Sequence, residues 1–192
     1  PTLPSPTLNT ETSHPPVELD IFKDMLRQSQ RPLILAGGGI ITSSASESLR
    51  RFAHQCQIPV ITTLMGIGSI SQDDPLSCGM LGMHGEKYTN VVLNTSDLLI
   101  TIGARFDDRA TGKLDEFCPM TKIIHIDIDP SEINKIRQSQ LGIISDAFHF
   151  LSHAISDTEP MQHDEWLSEI NEIKNSHPET ELTGTNHPRE LL

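Results

Sequence analysis

Two arginines and two aspartates fall within five residues, Arg105-Phe106-Asp107-Asp108-Arg109, soon after the apolar run Leu98-Leu99-Ile100-Thr101-Ile102. Charges beside a buried strand are costly unless something pairs with them. One reading is a solvated loop with internal ion pairs, each worth little. The other sets an arginine fork against a phosphate, with the aspartates fixing its orientation. Gly37-Gly38-Gly39 has the same two sides. Glycine between a strand and a helix lets backbone approach a phosphate, and a helix start supplies N–H donors. The full G-x-G-x-x-G fingerprint fails because Thr42 holds the last glycine position, so a tight strand-to-helix turn stands beside the phosphate reading. Asp127 ends the run Lys122–Ile128, where a ribose-binding carboxylate belongs. Asp129, before Pro130-Ser131, suits an Asx turn or a helix cap better than Asp127 does. Met65, Met80 and Met83 are either core filler or an adaptable wall for a flat ring. His149 and His153 share a helix face but lack a third ligand, so no metal is assigned. No nucleophile set is evident, and no catalytic residue is expected in this chain.

These residues need elements to hold them. Leu19, Phe22, Met25 and Leu26 recur at helical spacing from Val17. Short apolar strands are expected at 33–36, 58–62, 98–102, 122–128 and 141–145, and helices at 43–55, 86–94, 146–155 and 165–176. Residues 63–85 read as one long irregular connection with five glycines, uncommon in a compact domain and often functional. Strand, loop and helix repeat about five times. The expected fold class is therefore α/β, a three-layer Rossmann-like domain with a mostly parallel sheet of about five or six strands. In such sheets ligands bind beyond the carboxyl ends of the strands, where the glycine turn, the arginine cluster and Asp127 all fall.

Residues 1–16 hold five prolines and many Ser and Thr, a linker composition. The first residue is not Met, and the chain is expected to be a piece of a longer one. A net charge of −12 argues against a nucleic-acid partner. It also means that an anionic ligand must be held by local devices. No apolar stretch is long enough for a membrane span. Cys56, Cys78 and Cys118 are dispersed and odd in number, which fits neither a disulfide framework nor a zinc site and makes a reducing cytoplasm the simplest compartment.

Four stretches, IPVITTLMGIGSI, DPLSCGMLGMHG, DLLITIGARFDDRATGKLDEF and KIIHIDIDPSEINK, together resemble the large catalytic subunit of acetolactate synthase, a thiamine-diphosphate enzyme. The resemblance covers about residues 31 to 155. It implies the central domain of three, flanked by a linker at 1–16 and a helical linker at 157–192 leading to another domain, with 17–156 as the FAD-binding unit. The family's thiamine-activating glutamate and its Mg²⁺ and diphosphate motif belong to the other two domains. The piece alone is expected to be non-catalytic. The family's reaction condenses two pyruvates, or pyruvate and 2-ketobutyrate, with loss of CO₂.

Carried over by motif, the implied FAD contacts are Gly38, Thr63 and Leu64, then Leu81, Gly82, Met83 and His84. Gly103, Ala104, Arg105, Phe106 and Asp107 follow, then Asp127, Ile128, Asp146 and Ala147. Asp108 and Arg109 are implied to face the substrate channel. Ser145 stands where the family often has glycine. Implied partners are the other two domains, a homodimer or tetramer, and a small regulatory subunit. The alternative is a purely structural central domain, with a vestigial nucleotide site, from another thiamine-diphosphate decarboxylase or carboligase.

Overall fold

A computed structural model describes residues 17–82, 85–106 and 117–177. Six parallel strands form one sheet in the order β3-β2-β1-β4-β5-β6. They are β1 (Pro32–Ala36), β2 (Val60–Thr62), β3 (Ser77–Met80), β4 (Leu98–Ile102), β5 (Lys122–Asp127) and β6 (Leu141–Ile144). The central strands β1 and β4 are buried along all five residues, as expected of parallel strands covered on both faces. Their register runs from Pro32 opposite Leu98 to Ala36 opposite Ile102. The chain builds outward from β1 to β3 on one side, then restarts at β4 and builds outward to β6 on the other. The strand order therefore reverses between β1 and β4, which opens a crevice at their carboxyl ends.

Helices cover both faces. On one, α1 (Val17–Gln28), α3 (Ser46–Cys56) and α5 (Ala147–Asp157) bury Phe22, Phe52 and Phe150 against Ile34, Ile100 and Ile124. Phe22 meets Phe150 edge to face at 5.1 Å. On the other, α4 (Lys87–Thr95) and α6 (Asp164–Ser176) bury Val92, Leu93, Trp166 and Ile170 against Leu33, Leu99 and Ile123. The three-layer α/β reading thus holds. The segment expected as a helical linker carries α6, which is tied to the sheet. The indole N–H of Trp166 donates to the Pro32 carbonyl at 2.9 Å, and Lys174 Nζ donates to the Ser77 carbonyl at 2.8 Å.

Two elements differ from the sequence expectation. The irregular stretch 63–85 contains β3, whose Ser-Cys-Gly-Met sequence carries no strand period and whose Gly79 sits at φ +76°. The register of β3 against β2 shifts accordingly. The helix expected at 43–55 starts later, at Ser46, and is preceded by α2 (Gly38–Thr42). Ser44 at φ 56° separates the two. The hydroxyl of Ser43 turns back to the Gly39 carbonyl at 2.7 Å, an alternative to continuing the helix.

The glycine turn before α2 is a packing device. Gly37 N–H donates to Ile102 O, and Gly39 N–H donates to Gly103 O. A Cβ on Gly37 would lie 2.2 Å from the Gly103 carbonyl oxygen, and one on Gly39 would lie 2.6 Å from Gly103 Cα. Both glycines are spent on this contact, which answers the alternative left open by their sequence. The Gly37→Ala variant should therefore lose about 3 kcal/mol of stability, the range of severe overpacking. Gly68→Ala, with open space around it but φ +93°, should lose only about 1–2 kcal/mol. Urea denaturation of both variants checks the order, and equal losses would refute the close-packing account.

Candidate functional site

A cleft of about 940 Å³ opens at the carboxyl ends of the strands, near the upper end of the range for small-molecule pockets. Every strand feeds it. Beyond β1 come Gly38 and Gly39, with Thr42 and Ser43 from α2. Beyond β2 come Thr63, Leu64 and Met65, and at β3 come Met80, Leu81 and Gly82. Gly103, Ala104 and Arg105 follow β4, Asp127 and Ile128 close β5, and Ser145, Asp146 and Ala147 follow β6.

Of the residues proposed from sequence, Gly38, Thr63, Leu64, Leu81, Gly82, Gly103, Ala104, Arg105, Asp127, Ile128, Asp146 and Ala147 meet here. Phe106 does not line the cleft. Its ring is buried behind the turn, against His125 at 5.0 Å and Phe117 at 5.7 Å. Met83, His84, Asp107, Asp108 and Arg109 lie outside the described residues. Thr42 and Ser43 were not singled out from sequence. Their only signal was a place in the first turn after three glycines. Met65 and Met80 had two readings, and both line the cleft; Met65 is 73% exposed, so it is not core filler.

Polar groups are few and unevenly spread. Arg105 is exposed and makes no ion pair among the described residues. At the other end the lining carries two carboxylates, Asp127 and Asp146. Asp127 is buried, and its Oδ1 accepts the Asp129 N–H at 2.9 Å. Its Oδ2 accepts no hydrogen bond among the described residues. Asp129 accepts from both the N–H and the hydroxyl of Ser131, which hold its carboxyl below the usual range. Consecutive Asx turns therefore end β5, where sequence favoured one at Asp129 alone. Asp146 Oδ1 caps α5 by accepting from Phe148 N–H and His149 N–H, a structural task that accounts for its position. The opposite wall, Leu64, Met65, Met80 and Leu81, is apolar.

No group of three or more potential ligands that could hold a metal occurs among the described residues. Burial pushes the thiols of Cys56 and Cys78 up to about 11 and that of Cys118 up to about 12. Such thiols are inert. The arrangement can bind and orient a large ligand.

Comparison with known proteins gives one family and a consistent set of relatives. Residues 19–154 match the family described as "Thiamine pyrophosphate enzyme, central domain". The "Acetolactate synthase large subunit" of Parasynechococcus marenigrum (strain WH8102) is 43% identical over 175 residues, covering 88% of this chain and 28% of the relative. The protein of that name from Cyanidium caldarium is 45% identical over 168 residues, 84% of this chain and 29% of the relative. The "Acetolactate synthase isozyme 2 large subunit" of Escherichia coli (strain K12) is 38% identical over 171 residues, 89% and 31%. The chain thus spans under a third of each of these relatives.

One titratable group sits directly beneath the cleft. His125 is fully buried, and burial holds its imidazole below the usual 6.5, against the opposing pull of the Ala104 carbonyl, Asp127 and Glu132. The unfolded chain therefore binds a proton at His125 before the folded chain does. Stability is unaffected by this residue above pH 6.5 and is lost as pH falls below it, toward the lower folded value. The urea midpoint should drop between about pH 7.5 and about pH 5.5. The drop should be smaller in His125→Gln. Equal drops in the two proteins would remove His125 as a source.

Proposed function

The chain belongs to the thiamine pyrophosphate enzyme central-domain family, and on that premise we propose that its cleft holds FAD within a longer acetolactate synthase large subunit. The observation that carries this reading is the order of chemistry along the cleft. An apolar wall at β2 and β3, the exposed Arg105 after β4 and a carboxylate ending β5 follow one another. FAD presents a flat ring, a diphosphate and a ribose with adenine in that same order. Leu64, Met65, Met80 and Leu81 suit the ring. Arg105 suits the diphosphate, and Asp127 Oδ2 suits ribose hydroxyls. Gly38 supports the fit, because a Cβ there would come within 3.1 Å of Met65 Cβ and narrow the cleft. Resemblance adds Met83, His84 and Asp107 to the contacts, and Asp108 and Arg109 to a substrate channel.

FAD would supply a flat ring system that shapes a wall, since condensing two 2-keto acids with loss of CO₂ needs no net oxidation. In this reading the described residues bind and orient. Thiamine diphosphate and Mg²⁺ are assigned to other parts of the longer chain, as are subunit contacts and a regulatory partner.

Titration of the chain with FAD, followed by flavin fluorescence, should show saturable quenching. Arg105→Ala should weaken binding roughly tenfold, the cost of one charge-assisted contact. Lys122→Ala, at the amino end of β5 and away from the cleft, should stay within about twofold. No quenching with the wild-type chain would leave the structural-module reading in place. For the longer protein, acetaldehyde in place of acetolactate from pyruvate would assign it to a decarboxylase.

A further inference from the structure

His125 links two walls of the cleft. It lies on β5, opposite Thr101 of β4 in the register, with its ring on the face that carries Phe106 and Phe117. Its Nε2 is 3.0 Å from the Ala104 carbonyl oxygen. A carbonyl only accepts, so Nε2 carries the proton. In the neutral ring Nδ1 is then bare, and it has no hydrogen-bond partner among the described residues. The ring thus serves a single polar contact, and that contact is with the turn. Two residues along the same strand face, Asp127 lines the cleft. Gly103, at φ +57°, starts the turn and donates its N–H to Ile126 O of the same strand.

We propose that His125 is a positioning residue of the cleft, holding the Ala104 carbonyl so that Gly103, Ala104 and Arg105 are presented to the ligand in one conformation. The proposal rests on the ligand-binding reading of the cleft for its consequence, but not for its geometry. The hydrogen bond fixes the turn from below, Phe106 closes the space beside the ring, and Arg105 is left pointing outward without an ion pair among the described residues. Loss of the donor leaves a buried carbonyl unpaired and frees the turn to populate other conformations. Affinity then falls in proportion to the fraction of competent turn.

Three measurements test this on the 192-residue chain. Nitrogen NMR of the wild-type protein near neutral pH should show the His125 Nε2–H tautomer; the Nδ1–H tautomer would overturn the proposal even if no variant folds. Without ligand, His125→Phe, which keeps a flat ring but no donor, should raise hydrogen exchange at Gly103 roughly tenfold over wild type. His125→Gln, whose amide N–H can reach the same carbonyl, should restore it to within about twofold. Exchange unchanged in His125→Phe, or not rescued in His125→Gln, would refute the positioning role. With FAD, affinity should follow the same order across the three proteins. If the wild type shows no FAD binding while exchange behaves as stated, the ligand reading fails and the positioning of the turn stands.

Discussion

The carbonyl oxygen of Gly103 occupies the place where a side chain at residue 37 would have to be. This backbone-on-backbone contact joins the two halves of the sheet at their carboxyl ends. It brings the turn after β1 against the turn after β4, with Gly37 and Gly39 each donating an N–H across the seam. Gly66 repeats the device one strand over, where a Cβ would meet the Ala36 carbonyl at 2.1 Å. The turns after β1, β2 and β4 are therefore stacked on one another at near van der Waals limits. A protein interior packed this way has little room to deform.

The charge balance sharpens what the cleft can accept. A net charge of −12 makes most of the surface repel an anion. Among the described lining residues Arg105 supplies the one cation, while the N–H groups of Gly37 and Gly39 are spent within the fold. Helix α2 has only five residues, too few for a strong dipole of its own. Among the described residues, an anion seated in the cleft would accordingly lean on the Arg105 guanidinium and on the conformation of the turn that carries it. That is why the contact beneath the turn, between His125 and Ala104, matters more than its one hydrogen bond suggests.

Sequence made the framework legible because β1 and β4 are continuous apolar runs, and α1, α3 and α5 carry clean helical spacing. Those signals report burial on both faces of a sheet, which is a strong constraint. β3 was not legible. Its residues bind through a left-handed glycine and side chains of later elements, such as Thr89 donating to the Cys78 carbonyl, and no period records that. The strand-end rule pointed to residues that mostly share one cleft. It left two readings of the glycines open, and the backbone contacts of Gly37 and Gly39 favour the tight turn. Three glycines after a strand look alike whether they receive a phosphate or another backbone, and only the position of Gly103 separates the two. Phe106 lies outside the lining for a related reason. A residue one step past Arg105 turns to the opposite side of the turn, and its large apolar ring followed the core.

The strand order has a further thermodynamic consequence. The half made of β1, β2 and β3 meets the half made of β4, β5 and β6 through one ladder, β1 against β4, through the glycine contact, and through helices that span the seam. The cleft takes its lining from both halves. A ligand seated there contacts residues whose spacing is set only when the seam is closed, so it binds the folded sheet and not either half alone. Binding of that kind stabilises the fold by an amount that grows with ligand concentration over its dissociation constant. His125 lies one strand from the seam, on the half that starts with β4, and holds that half's contribution to it. The same arrangement that makes the cleft depend on the sheet makes the sheet gain from whatever fills the cleft.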